Sequence, residues 1–224
     1  MTIEEAVLNR HSVRRYQDAP LPEPVRSALE DEIGKVNEES GLHIQLVCDR
    51  PEAFATLMNR YGWFAGVRHY LALVGPDDGK LDEACGYYGE HLALYAETLG
   101  LGSCWVGGTF SRKKTAYEAG AGERLALIIA VGVPSVPGKP HKSRSYAAVT
   151  RNGENAPDWF RKGAEAALLA PTAVNQQRFL LEYEAPDRVR ATAGRGSFTK
   201  VDLGIVKYHF EIGAGKENFS WAES

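Results

Sequence analysis

Residues 168–179 read LLAPTAVNQQRF, and the fold turns on what this stretch joins. Upstream, Ala164 to Leu169 carries a helical apolar pattern that stops at Pro171. Downstream, RFLLEY alternates like a strand. The junction residues suit a turn, because proline disfavours helix in the residue before it, while Thr172 and Asn175 bond readily to nearby backbone. The same residues, with Gln176 and Gln177, also form a row of hydrogen-bond donors and acceptors suited to a planar, polar-edged ligand. Taken alone, the stretch fits both readings.

The helix, polar break and strand seen here occur earlier in the chain. PVRSALEDEIGKVNEESGLHIQLV from Pro24 has the same order as PDWFRKGAEAALLAPTAVNQQRFLLEY from Pro157. His91 follows Gly86 in GYYGEH at the same spacing as His209 follows Gly204 in GIVKYH. These correspondences predict a degenerate internal duplication. The strand-to-helix interval shrinks from 43 residues (His43 to Gly86) to 26 (Arg178 to Gly204), so the second copy is expected to lack a counterpart of the strand RHYLALVG. The Pro-rich, basic SVPGKPHKSRSY, residues 135–146, reads as the connector. Residues 1–140 and 141–224 are then two halves of one intertwined domain.

The remaining elements follow from caps and periodicity. Thr2 and Glu5 form a capping box for a short helix ending near Asn9. RPEAFATLMNRYG from Arg50 predicts a helix with proline in its first turn. KLDEACGYYGEHLALYAETLGLG predicts a longer helix stopped at Gly100 and Gly102, and GERLALIIAVGVP a buried strand. The class expected is α+β, a mixed sheet flanked by helices.

Composition narrows the function. The chain has 224 residues, 44% of them hydrophobic, and a net charge of -3, so it has a core and no global attraction for nucleic acid or an anionic membrane. The start, MTIEEAVLNRHS, lacks an apolar signal core, and the longest apolar run, LALIIAVGV, is about half a membrane span. A cytoplasmic protein is expected. Cys48, Cys85 and Cys104 are odd in number and widely spaced, which argues against a disulfide framework, and six scattered histidines argue against a metal site. There is no G-x-S-x-G elbow, H-E-x-x-H, C-x-x-C or Walker loop, and the glycines of GLGSCWVGG miss the dinucleotide spacing.

Two basic clusters stand out. RHSVRRY concentrates Arg10, His11, Ser12, Arg14 and Arg15 directly after a helix, and KSR places Lys142 and Arg144 in a Pro-rich turn. Guanidinium groups bind phosphate through paired donors and a serine hydroxyl adds another, so the two clusters together suit one phosphate.

With these segments in view, the chain resembles the FMN-dependent nitroreductases. RHSVRRY is similar to that family's R-x-S-x-R-x-[FY] segment, LGLGSCWVGG to its segment under the isoalloxazine, KSR to its closing K-x-R, and APTAVNQQRF to its A-P-[ST]-x-x-N-x-Q-P-[WF] segment. One departure is large: the A-P-[ST] segment ordinarily follows the second helix, where this chain has KVNEESGLH, yet here it lies far downstream. Another is Arg178, where the family commonly has proline. The layout resembles a subgroup whose two halves are intertwined in one chain, with VDLGIVKYHFEIGA similar to its closing stretch.

The resemblance implies a nitroreductase-like fold and one FMN per chain. Arg10, His11, Ser12, Arg14, Lys142 and Arg144 are the implied phosphate and ribityl contacts, and Gly107 and Gly108 the backbone near flavin N5. Pro171, Thr172 and Asn175 are implied at the pyrimidine edge, with Gln177 ordering the strand below. The implied activity passes electrons from NADH or NADPH through FMN to a small organic acceptor such as a nitroaromatic or quinone, with no side-chain acid or base. The alternative is an FMN-binding protein without turnover, for storage or sensing; a scaffold that has lost flavin would follow if Arg10, Ser12, Arg14 and Asn175 did not converge. A monomeric pseudo-dimer and a homodimer both fit. Trp105 and Phe110 are candidate pocket walls or core, YGWFAG at 61–66 a candidate lid or packed loop, and Cys104 a packing thiol.

Overall fold

The computed structural model describes residues 1–60 and 63–222. Its first helix begins with the capping box expected: the Glu5 amide donates to the Thr2 hydroxyl at 3.2 Å and the Thr2 amide to the Glu5 carboxylate at 2.9 Å. Helix α1 is Ile3–Asn9, followed by β1 (Arg15–Tyr16), α2 (Glu23–Ser40), β2 (Gln45–Val47), α3 (Leu57–Arg60) and β3 (His69–Pro76). Next come α4 (Leu81–Thr98), β4 (Gly102–Val106), β5 (Glu123–Gly132), β6 (Pro134–Val136), α5 (Tyr146–Val149) and β7 (Thr150–Arg151). The chain closes with α6 (Asp158–Ala167), β8 (Phe179–Glu184), β9 (Arg188–Ala193), α7 (Thr199–Ala214) and β10 (Ser220–Trp221). The class is α+β, as the patterning predicts. Among the described residues no helix is long and apolar enough to cross a membrane.

These elements form two compact units that interleave in sequence. One contains Arg10–Leu81 and His91–Pro140; the other contains Met1–Asn9, Asp82–Glu90 and His141–Ser224.

In the first unit the sheet order is β2-β3-β5-β4, antiparallel throughout. The central strands carry continuous apolar runs because neighbours cover them on both faces: Tyr70 to Val74 and Ile128 to Val131 are fully buried. Phe54, Phe64, Tyr70 and Phe110 join the core against these strands. Helix α2 buries Leu29, Ile33 and Val36, one helical face. It ends at Gly41, whose φ of 69° is left-handed and whose amide bonds the Asn37 carbonyl. The Asn37 side chain then accepts from the Ile44 amide at 2.8 Å and donates to its carbonyl at 2.9 Å, which turns the chain into β2.

The helix expected from Arg50 is broken. Pro51–Phe54 is a 3₁₀ turn, and α3 is four residues long. The Asn59 amide donates to the Phe54 and Thr109 carbonyls at 2.6 and 3.1 Å, a local competitor to helical bonding. Tyr61 and Gly62 of the candidate lid lie outside the described residues; of its other aromatics, Trp63 is exposed and Phe64 buried.

In the second unit the sheet order is β10-β9-β8-β7. Strands β8 and β9 are antiparallel, while β7 and β10 run parallel to their neighbours, so this sheet is mixed. Strand β9 corrects one expectation: a strand antiparallel to β8 does precede α7, as β3 follows β2. It lacks an apolar signature because only Val189 of its six residues is buried. Helices α6 and α7 pack through small residues, with Gly163 against the Phe210 ring and Gly213 against the Lys162 carbonyl. Trp159, Phe160, Tyr183, Phe210, Phe219 and Trp221 form a continuous set of ring contacts beside them.

The first half of α4 crosses α7 at two glycines. A Cβ on Gly86 would lie 2.1 Å from the Val201 carbonyl oxygen, and a Cβ on Gly204 would lie 2.0 Å from the Glu83 carbonyl oxygen. The contact is reciprocal: each glycine meets the carbonyl three residues before the other. Nearby, fully buried His209 places Nε2 2.9 Å from the Glu90 carboxylate and Nδ1 3.1 Å from the Ala166 carbonyl.

Candidate functional site

Arg10 to Tyr16 leave α1 and run beside β4. The Val13 amide donates to the Ser103 carbonyl at 2.9 Å, and Ser12 bridges Ser103 in parallel register. Gly102 is required for this approach, since a Cβ there would lie 2.5 Å from the Val13 side chain. Val13 and Tyr16 turn into the core, Arg10 is 3% exposed, His11 and Ser12 are half-buried, and Arg14 is exposed with its guanidinium 5.4 Å from the centre of the Trp63 ring. Gly138 lies against His11, where a Cβ would come within 2.7 Å. Strand β4 leads into Gly107 and Gly108, and the space a side chain would fill at Gly108 is open. This unit therefore gathers Arg10, His11, Ser12, Arg14 and the glycine pair around β4. Cys104 on that strand is 3% exposed and burial pushes its thiol up, so it packs as a neutral hydrophobe, and Phe110 is core.

In the other unit, KSR and APTAVNQQ are joined residue by residue. Gln177, 2% exposed, is the hub: its Oε1 accepts the Arg144 amide at 2.8 Å and its Nε2 donates to the Lys142 carbonyl at 2.9 Å and to Asn175 Oδ1 at 2.7 Å. The Asn175 amide donates to the same Lys142 carbonyl at 2.9 Å, and Arg144 Nη1 reaches the Gln177 carbonyl at 3.3 Å. Ser143 and His141 both bond the Leu168 carbonyl. Gln177 therefore spends its amide on the chain itself and orders the segment. The Lys142, Arg144 and Asn175 side chains stay exposed, and Pro171 and Thr172 are half-buried.

The backbone of this segment is strained. Val174, Asn175 and Gln177 have φ of 47°, 56° and 45°. Asparagine tolerates the left-handed region, but a β-branched residue there is an outlier, and such conformations persist where the surroundings impose them and cluster at ligand sites. Val174 is 98% exposed at the apex. The Thr172 hydroxyl accepts the Gln177 amide at 3.0 Å, and Asp202 accepts from Ala173 and Gln176. Asp202 has no counterpart among the residues the sequence pointed to. Its only trace is an acid set in the apolar run Val201, Asp202, Leu203.

In one unit a buried hub, a strained turn held from both ends and exposed cations beside it are ligand-binding chemistry; in the other, the open backbone at Gly108 just beyond β4 offers a flat surface. The family model described as "Putative TM nitroreductase" matches residues 2–214, and the chain belongs to that family.

Solved structures share the fold. A protein described as a putative nitroreductase from Thermotoga maritima is 22% identical, with a TM-score of 0.67 over 97% of this chain and 85% of that one. A protein from Desulfovibrio desulfuricans, described as a putative nitroreductase in complex with FMN, is 19% identical with a TM-score of 0.52, covering 66% of this chain and 94% of its own. A nitroreductase-like protein from Streptococcus mutans is 16% identical with a TM-score of 0.53, covering 64% and 94%. No curated protein matches the chain.

Proposed function

We propose that this chain is an FMN-dependent oxidoreductase of the cytoplasm that takes electrons from NADH or NADPH and passes them to a small organic acceptor such as a nitroaromatic or quinone. The observation that carries the reading is the strained segment 171–177, stitched through Gln177 to Lys142 and Arg144. Family membership over residues 2–214 and the FMN complex of the Desulfovibrio protein support it.

The residues present fit FMN. Lys142 and Arg144 in one unit are exposed cationic donors of the kind that bind phosphate, and so is Arg14 in the other, with Arg10, His11 and Ser12 in its segment. Open space at Gly108 leaves backbone accessible to a flat ring. The Asn175 amide, already oriented by Lys142 and Gln177, keeps a second proton and a second lone pair for a polar ring edge. Pro171 and Thr172 set the backbone beside it.

When bound, the flavin supplies the redox chemistry, and the protein supplies position and electrostatics. The chain's own part is threefold. Its cations anchor the phosphate, its amide donors favour negative charge on the reduced ring edge, and its glycines leave a face open for nicotinamide or acceptor. No side chain here is assigned a proton-transfer role.

We further read the chain as a fused pair, residues 1–140 and 141–224, with one FMN, acting as a monomer that contains both halves or as a pair of such chains. Gly86 and Gly204, matched in the sequence repeat, make reciprocal contacts, as equivalent residues do across a two-fold axis. Strand β9 adds a counterpart of β3. The FMN-bound Desulfovibrio protein covers 66% of this chain with 94% of its own length, which fits a chain longer than one ordinary copy.

The test is an absorbance spectrum of purified protein with fluorescence identification of the released flavin, then anaerobic NADH and NADPH. One FMN per chain that bleaches with either nucleotide supports the reading. Bound FMN that neither bleaches points to the storage or sensing role, and a chain that cannot be loaded with FMN refutes both.

A further inference from the structure

Asp202 sits in the first turn of α7, 3% exposed, in an otherwise apolar run. Burial pushes its carboxyl up to about 6 from 3.8, and the influences that oppose this are two hydrogen bonds, not a cation. Both bonds come from one short segment. The Ala173 amide donates to Oδ1 at 2.9 Å, and Gln176 Nε2 donates to Oδ2 at 2.6 Å. Gln176 Nε2 also reaches the Ser197 carbonyl at 2.9 Å, which ties the same segment to the loop before α7.

A buried carboxylate with no cation beside it among the described residues is a poor device for stability alone, since an apolar residue of similar size usually serves a core as well or better. Its placement is explained by what it holds. The chain is extended at Thr172, with φ of -126°, and left-handed by Val174, with φ of 47°. Ala173 is the link between these conformations, and its amide is the one fixed by Asp202. Gln176 follows the left-handed pair Val174 and Asn175, so the two oxygens of Asp202 grip the chain on either side of that pair.

Other restraints come from other directions: Asn175 is bonded to the Lys142 carbonyl and to Gln177, and the Asn175 and Gln176 amides bond the Thr172 and Ala173 carbonyls within the turn. Thr172 Oγ1 and the Gln177 side chain hold the far end of the segment and bind it to Lys142 and Arg144. Without Asp202 the Ala173 amide loses its partner and Gln176 one of its two, and the bonds at Thr172, Asn175 and Gln177 are left to hold the left-handed turn at Val174 against its own steric preference.

We propose that Asp202 is a positioning residue for the ligand-contacting segment: its carboxylate clamps the turn at Ala173 to Gln176 so that Val174 and the Asn175 amide are presented outward in one conformation. The ligand is taken to be FMN, so this inference rests on the reading above.

The test uses the full chain with Asp202→Ala and the nearly isosteric Asp202→Asn. The asparagine keeps an acceptor for the Ala173 amide but opposes an amide NH₂ to Gln176 Nε2, so it retains one bond of two. Two readouts are taken: amide hydrogen exchange over residues 173–177 without flavin, and FMN affinity by flavin fluorescence. Asp202→Ala should speed exchange in this segment about tenfold or more and weaken FMN binding about tenfold or more, with Asp202→Asn between it and wild type in both. Exchange in the core of α6 should not change, which separates a local clamp from general loosening. Unchanged exchange at 173–177 overturns the clamp, and quickened exchange with unchanged FMN affinity overturns its role in presenting the ligand. If Asp202→Ala fails to fold, the asparagine variant decides alone by the same criteria. A wild-type chain that takes up no FMN refutes the flavin reading instead, and the exchange measurement still decides whether Asp202 holds the turn.

Discussion

Replacing Gly204 with alanine would put a methyl carbon 2.0 Å from the Glu83 carbonyl oxygen and 2.6 Å from the Tyr87 amide nitrogen. Comfortable contacts between such atoms are about 3.5 Å, so α4 and α7 would have to separate locally by an ångström or more. Both obstacles are backbone atoms of a helix and cannot rotate away. The separation would also loosen the matching contact at Gly86, where a Cβ would lie 3.1 Å from Gly204 Cα. Overpacking of this kind costs about 1–3 kcal/mol, and a clash against rigid backbone belongs at the upper end. Alanine's better helix propensity returns about 1 kcal/mol, leaving about 2 kcal/mol of destabilisation. For a chain of this size that is a fall in Tm of about 4–8 °C. The internal control is Gly34→Ala, in the middle of α2, where a Cβ meets nothing within 4 Å. It should raise Tm, because propensity acts there without a clash. Thermal unfolding followed by circular dichroism reads both. A Gly204→Ala chain as stable as wild type, beside a stabilised Gly34→Ala chain, would refute the close crossing of the two helices.

Arg144→Ala and Arg14→Ala should each weaken FMN binding about tenfold or more while leaving riboflavin affinity nearly unchanged, since a charge-assisted contact to phosphate is absent in riboflavin; equal losses for both ligands in a fluorescence titration would contradict the phosphate role. Gln177→Ala strands the Arg144 amide and leaves the Lys142 carbonyl with the Asn175 side chain as its remaining donor, and should cost about 2 kcal/mol in chemical denaturation; a loss under 1 kcal/mol would show that the hub is not needed. Asp202 has a folded pKa of about 6, above its ordinary 3.8, so its contribution to stability is present at low pH and is lost as pH rises through about 6. The unfolding free energy of wild type minus that of Asp202→Asn should therefore fall by up to about 3 kcal/mol between about pH 4 and pH 7, and a flat difference would refute the shift.

Much of the fold was legible because particular residues act locally. Thr2 and Glu5 cap α1, apolar runs mark β3 and β5, and Gly100, with φ of 81°, stops the chain just beyond α4. What escaped depends on tertiary surroundings. Strand β9 is polar along most of its length and is held by β8 and β10, not by its own pattern. The sequence from Arg50 has helical spacing, but over residues 50–60 the bond from Asn59 to Thr109 redirects the chain. Among the candidate residues, Arg14 in one unit and Lys142, Arg144 and Asn175 in the other were visible as cations and an amide in recognisable segments. Gln177 was expected to order its surroundings, but its partners at Lys142 and Arg144, and the clamp at Asp202, were not visible, because a hydrogen-bond partner 33 or 29 residues away leaves no periodic trace.

The measurement closest to the central claim is the flavin content of the purified chain, set against protein concentration and followed by anaerobic titration with NADH and NADPH. Yellow protein that releases one FMN per chain and bleaches with a reduced nicotinamide nucleotide is the expected result. Two FMN per chain would contradict the fused arrangement, and colourless protein that cannot be loaded with FMN would contradict the flavin function itself.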